Sequence, residues 1–368
     1  MADVTVSDAV VTFLRSIGAT DEQIEDGMRE CNLLQLPTDL VLSRGATLSA
    51  ADLAARSGWT EGEVVALWRV LGVAVPDVTT AMFSERDAEM TELALHFMHS
   101  GPASNEELFR ILGSSLARVA EAAVSLYVQT IEPVVGSGRG TPVPELEWFQ
   151  HMAEVSSKAL QMGEGMGPVF AHHLRDAIDR QRLAQAEVAD PTLFRLAVGF
   201  VDLVGFTPLS QHAEPSKLLA LIGGFEARAF EVASSHHGRI IKHIGDEVMF
   251  VALDARAGCA IAHELTADHA EGIEPRGGVV FGDVISRHGD YYGPVVNLAS
   301  RLAELAIPGE VLVDGGTAEA AGRSFDCRPA GQRLLKGFDA AVEVFSLHAA
   351  AGAAPTAAGR NADAPPAP

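Results

Sequence analysis

The chain has 368 residues, 48% of them hydrophobic and 21% charged, which suits about two globular domains with cores of their own. Acidic residues outnumber basic ones by 49 to 27, for a formal net charge of -22, so a nucleic-acid partner would need a local basic patch against the general field. The three cysteines, Cys31, Cys259 and Cys327, lie far apart without C-x-x-C spacing, which argues against a disulfide framework and a zinc cluster.

The N-terminal MADVTVSDAV lacks a basic region followed by an apolar run, and no window approaches about 18 uninterrupted apolar residues. The expectation is no signal peptide, no transmembrane segment and a cytoplasmic setting. Roughly the first 130 residues read as helices, with apolar residues at helical spacing over 6–17, Ala50–Ser57 and 105–129. Residues 47–72, TLSAADLAARSGWTEGEVVALWRVLG, carry two capping boxes, Ser49 with Asp52 and Thr60 with Glu63, on either side of Gly58. The segment is similar to the helix-turn-helix of MerR-type regulators, so a DNA-binding transcription regulator is the alternative function. Glu61 and Glu63 would face phosphates from the first turn of the second helix, and Arg69 comes late, which disfavours nucleic acid.

A Gly/Pro-rich loop is expected at 132–144, followed by a long amphipathic stretch at 145–187 that Gly163, Gly165 and Gly167 should kink or break. It contains His151, His172 and His173, which are solvated helix histidines or, on a second reading, a pH-responsive switch. The tail beyond about 348 is Ala, Gly and Pro and is expected to be disordered. The expected organisation is a helical domain at 1–144, a linker helix at 145–189, a second domain at 190–348 and a disordered tail at 349–368.

In the second half, short apolar runs alternate with helical ones. The reading is a strand at 195–201, a helix at Pro215–Ser235 and a hairpin at 238–253 with Gly245-Asp246 at its turn. A helix at 255–270, a strand at 277–285, a helix at 295–305 and a short strand at 310–313 follow. The fold class is α+β: an all-α domain, then the ferredoxin-like βαββαβ order with C-terminal additions.

Three motifs carry chemistry. FVDLVGFT ends the first strand and presents Asp202 beside Gly205, where the chain can turn without a side chain in the way. KHIGDEVMF offers Asp246 at the hairpin turn. If the two strands are neighbours, these carboxylates converge, and two carboxylates plus substrate phosphates suit Mg²⁺ or Mn²⁺. Taken singly, either Asp could be a turn residue. GDYYGPVVNLASRL begins with a loop carrying Asp290 and runs into a helix with Asn297 and Arg301 four apart on one face. Such a pair can contact a ribose and a phosphoryl group together, or be a solvated helix face.

Together and in this order, the motifs resemble the catalytic domain of class III nucleotidyl cyclases, over about residues 194–347 and including the closing RLLKGFDAAVEVFSL. The resemblance implies that Asp202 and Asp246 bind two Mg²⁺ or Mn²⁺ ions. It implies that Lys242 and Asp290 read the purine, and that Asn297 and Arg301 orient the ribose and stabilise the transition state. An ammonium and a carboxylate match the N1 and amino group of adenine, whereas guanine presents the opposite pattern, so ATP is the implied substrate and cyclic AMP the product. The family's sites form between two catalytic domains arranged head to tail, which implies a homodimer. The whole chain resembles soluble bacterial cyclases with a helical N-terminal regulatory domain. Lys336 could reach a substrate phosphate, as lysines near this end do in relatives, or be solvated; His243 should point to the opposite face of its strand. A catalytically inactive cyclase homologue is a further alternative, against which the intact set of six stands.

Overall fold

The computed structural model describes residues 7–30, 32–100, 105–136, 145–185, 190, 193–206, 209, 213–267, 274–287 and 289–350, in two compact units that divide between His172 and His173. Cys31 and the tail from residue 351 lie outside the described residues.

The first unit is helical. It comprises α1 (Asp8–Ser16), α2 (Asp21–Arg29), α3 (Leu36–Leu42), α4 (Ala50–Ser57), α5 (Glu61–Val70), α6 (Glu85–His99), α7 (Glu106–Gly136) and α8 (Glu145–Glu164), with the start of α9 (Gly167–Gln185). Both capping boxes form: the Ser49 and Thr60 side chains accept from the amides of Asp52 and Glu63, whose carboxylates accept in return. Gly58, at φ 75°, makes the left-handed turn between α4 and α5. Apolar positions at helical spacing bury Leu53, Leu67, Trp68 and Leu95 in one cluster with Phe83, where the Trp68 indole donates to Thr91 Oγ1 at 3.2 Å.

Two expectations change here. The helix read as 105–129 runs on through Pro133 to Gly136 instead of giving way to a loop at 132. A proline's fixed φ is compatible with a helix, at the loss of one amide donor. The remainder of the expected loop, 137–144, lies outside the described residues. The stretch read as a linker is two helices, α8 and α9, broken at Gly165-Met166 among the glycines singled out above. α8 packs on α1 and α3, where its Phe149 joins Val10, Leu14 and Ile24 in a second core. His151, His172 and His173 are exposed.

The second unit is one mixed sheet with helices on both faces. Its strands are β1 (Leu193–Val204), β2 (Arg239–Ile244), β3 (Glu247–Ala252), β4 (Glu274–Arg287), β5 (Asp290–Tyr292), β6 (Val311–Asp314), β7 (Phe325–Arg333) and β8 (Val342–Ala349). The spatial order is β2-β3-β1-β4-β6-β8-β7, with β5 paired to β4. The helices are α10 (Pro215–Ser235), α11 (Ala255–Ala267), α12 (Pro294–Leu305) and α13 (Gly315–Ala321). The first four strands with α10 and α11 make the antiparallel β2-β3-β1-β4 core, as the split βαβ order requires. β6 then joins β4 in parallel through α12.

β1 explains the two faces. Ala197 and Val201 point into a core shared with α10 and α11; Leu196, Val198 and Phe200 point into one shared with α12 and Ala184 of α9. Asp202 follows Phe200 by two residues and so continues the α12 face at the strand's end. Two further expectations are corrected. Asp290 sits in a short strand, β5, rather than a loop, because the chain folds back on the end of β4. The closing segment supplies two paired strands, β7 and β8, that the alternation did not mark.

Candidate active site

Asp202 and Asp246 are brought to one end of the sheet by the β1–β3 pairing. Asp202 lies opposite Glu247, and Asp246 precedes Glu247 in the hairpin turn, where Gly245 takes φ 67°. The convergence read from the motifs is therefore met: the charge of Asp202 is felt by both hairpin carboxyls. Burial first, and then Asp202, push Asp246 upward against the pull of Arg276. Burial pushes Glu247 up to about 7, reinforced by Asp202, Glu304 and Asp246.

Among the described residues one cation faces this group, and the sequence reading missed it. Arg276 opens β4 directly opposite Asp202. Its Nε and Nη2 donate to Asp202 Oδ2 at 3.2 and 2.9 Å, and its Nη1 donates to the Glu304 and Ala306 carbonyls at the end of α12. No spacing motif marks it; the only signal was a lone arginine before a Gly-rich strand.

Three carboxyls against one guanidinium leave excess negative charge, and all the donors are oxygens. That set fits a hard divalent cation such as Mg²⁺ or Mn²⁺, which binds through one or two carboxylates and takes further ligands from phosphates and water. Among the described residues, no three or more His, Cys, Asp or Glu side chains are grouped so as to hold a metal on their own. A cation held by Asp202 and Asp246 would need further ligands from a phosphate-bearing ligand or water.

Lys242 and Asp290 meet directly. The ammonium on β2 donates to Asp290 Oδ2, while Asp290 Oδ1 accepts from the Tyr291 amide at 2.9 Å. A bulge between Ile240 and Lys242 sets Lys242 opposite Met249, a residue of the α12-face core. His243 lies on the other face, its Nδ1 3.8 Å from Glu226 of α10.

Asn297 and Arg301 project from α12. Asn297 is exposed, and Arg301 Nη1 reaches Glu304 on its own helix at 2.6 Å instead of Asp202 or Asp246. The helix is seated by two glycines of β4. A Cβ on Gly278 would strike the backbone of Ala299, Leu302 and Ala303, and one on Gly282 would meet Val295. Lys336 is exposed between β7 and β8.

Among the described residues no helix is long and apolar enough to cross a membrane. Residues 191–349 match the adenylate and guanylate cyclase catalytic domain family. Over 353 residues the chain is 31% identical to an uncharacterized protein of Mycobacterium tuberculosis, covering 92% of this chain and 89% of that one. It is 32% identical over 295 residues to an adenylate cyclase of Streptomyces coelicolor, covering 75% of this chain and 66% of that one. Among solved structures, the adenylyl cyclase CyaB from P. aeruginosa is similar at 26% identity with a TM-score of 0.40, covering 44% of this chain and 96% of that one.

Proposed function

The chain belongs to the adenylate and guanylate cyclase family, and from that premise we propose that it converts ATP to 3′,5′-cyclic AMP and pyrophosphate at sites shared by two copies of itself. The observation that carries ATP over GTP is the Lys242–Asp290 ion pair. Its ammonium can donate to adenine N1 and its carboxylate can accept from the adenine amino group, while guanine offers the reverse.

Asp202 and Asp246 would hold Mg²⁺ or Mn²⁺, two ions per site, whose chemistry when bound is to polarise phosphate oxygens. The ribose 3′-oxygen attacks the α-phosphorus in line and pyrophosphate leaves. Asn297 orients the ribose, and the Arg301 guanidinium meets the charge that develops on the phosphoryl oxygens. Both residues serve the aspartates of the partner copy, in a head-to-tail homodimer with two equivalent sites. Positioning and electrostatics do the catalysis, with no dedicated side-chain base. The helical N-terminal region regulates this activity, in the cytoplasm.

The test is an assay of the purified chain with Mg²⁺ or Mn²⁺ and either ATP or GTP, with Asp202→Ala as control. The expected product is cyclic AMP from ATP, favoured over GTP by about 10-fold or more, as mispaired hydrogen bonds to charged groups would give. No cyclic nucleotide from either substrate would reject the reading.

A further inference from the structure

Helix α9 and the sheet form a partly open cavity of about 220 Å³ whose lining, among the described residues, contains none of the six residues discussed above. Arg180, Gln181 and Ala184 line it from α9, and Arg239, Phe194 and Tyr291 from the strands. All its walls, from Ala177 to Tyr291, belong to the second unit. Among the described residues that line it there is no Asp or Glu, in a chain with 49 acidic residues, and His237 adds a third basic side chain.

Both guanidiniums are short of acceptors. Arg239 Nε is buried with no hydrogen-bond partner. Among the described residues its Nη2 reaches only the Tyr291 hydroxyl, at 3.3 Å, and its Cζ stands 6.0 Å from the Tyr291 ring centre. Arg180 is half-buried and bonds to none of the described residues. Cations withdrawn from water are ordinarily paired, and a buried donor left without an acceptor calls for a missing anion or water. The Arg fork matches carboxylate and phosphate oxygens two at a time. Phe194, Leu196, Val251 and Leu253 give the lining an apolar part, with Gln181 and Ser286 as uncharged polar members. The volume is below the roughly 300–1,000 Å³ of ordinary ligand pockets, which limits the apolar part to about one ring.

We propose that this cavity binds a small organic anion, its carboxylate or phosphate held between Arg180 and Arg239 and a short apolar body resting on Phe194 and Leu196. The proposal does not rest on the cyclase reaction and is tested without turnover. Calorimetry on the full chain would use phenyl phosphate, benzoate, inorganic phosphate and neutral phenol as probes. Phenyl phosphate or benzoate is expected to bind, and whichever binds tighter identifies the charged head. Inorganic phosphate and phenol are each expected to bind at least about 10-fold more weakly, since each lacks one half of the recognition.

Arg180→Gln should weaken binding about 10-fold or more, as loss of a charge-assisted hydrogen bond does, and Arg239→Gln should act in the same way. Because Arg180 lies on a partly exposed helix face, its variant keeps the test decisive even if Arg239→Gln fails to fold. Lys242→Ala, in the purine-reading pair, should leave binding within about twofold. The proposal is overturned if neither organic anion binds, or if Arg180→Gln leaves binding intact. It is equally overturned if inorganic phosphate matches phenyl phosphate, or if Lys242→Ala abolishes binding, which would place the probe in the nucleotide site.

Discussion

Asp202, Asp246 and Glu247 share a single guanidinium, and Glu247 shows the strain most clearly. Its carboxyl is raised from 4.5 to about 7 by burial and by Asp202, Glu304 and Asp246. An acid whose folded value is raised favours the protonated fold, so its stabilising effect is complete below the unfolded value and lost as pH climbs through the folded one. The metal-free chain should therefore lose stability between about pH 4.5 and 7. Discounted for partial solvent screening, the loss should be on the order of 1 kcal/mol. Thermal melts in chelator should show it, and Glu247→Gln should flatten that stretch of the profile.

The purine pair gives a second prediction at this scale. Lys242→Ala should cut kcat/KM for ATP by about 10–100-fold, the cost of a lost charge-assisted hydrogen bond, while GTP turnover falls less. A uniform fall for both nucleotides would remove Lys242 from base recognition. At the residue scale the sequence was readable wherever side chains sit in spaced motifs, as Asp202, Asp246, Lys242 and Asp290 do. Arg276 was not readable, because its contact with Asp202 is made by strand register between residues 74 apart.

Among the elements, α12 depends on close approach. It rests on β4 where Gly278 has no side chain, its backbone filling the space a Cβ would need. Gly278→Ala must lift the helix or bend the strand, and backbone cannot swing aside as a side-chain tip can. Overpacking of this kind costs about 1–3 kcal/mol, and displacement of Asn297 and Arg301 should lower kcat by more than the stability change accounts for. Melting curves and steady-state rates together check this; a variant with unchanged kcat would show that α12 need not be held so closely.

The β2–β3 hairpin was legible because its turn pair and apolar alternation agree. β7 was not. Its FDCRPAGQR carries Pro329 and a register shift between Pro329 and Gly331, and it lies at the sheet edge with largely exposed residues, so no period-2 signal survives. β5 is too short for periodicity and exists only because β4 is there to pair with it.

The whole molecule sets the last requirement. In one chain, Arg301 bonds to its own helix at Glu304, and Asp202 bonds to Arg276. If the partner copy supplies the complementary half, Asp202→Ala and Arg301→Ala chains should each be nearly inactive alone. Mixed in equal amounts and allowed to exchange, they should recover roughly a quarter of wild-type activity, since half of the dimers are mixed and each mixed dimer has one intact site. No recovery on mixing would place all the machinery within one chain.

Arg276 then takes on a meaning that neither site shows alone. Two of its nitrogens grip Asp202, and the third grips the carbonyls of Glu304 and Ala306 that close α12. In the proposed two-fold assembly, Asp202 would work in one site while the Arg301 on that helix would work in the other. The guanidinium would then be a mechanical link between two reaction centres. A ligand that draws Asp202 toward itself slackens the anchor of the helix serving the opposite centre, so the two should not fire independently. Initial rates plotted against ATP should depart from a hyperbola, and Arg276→Lys, which keeps the charge but loses the fork, should bring the curve back toward simple saturation.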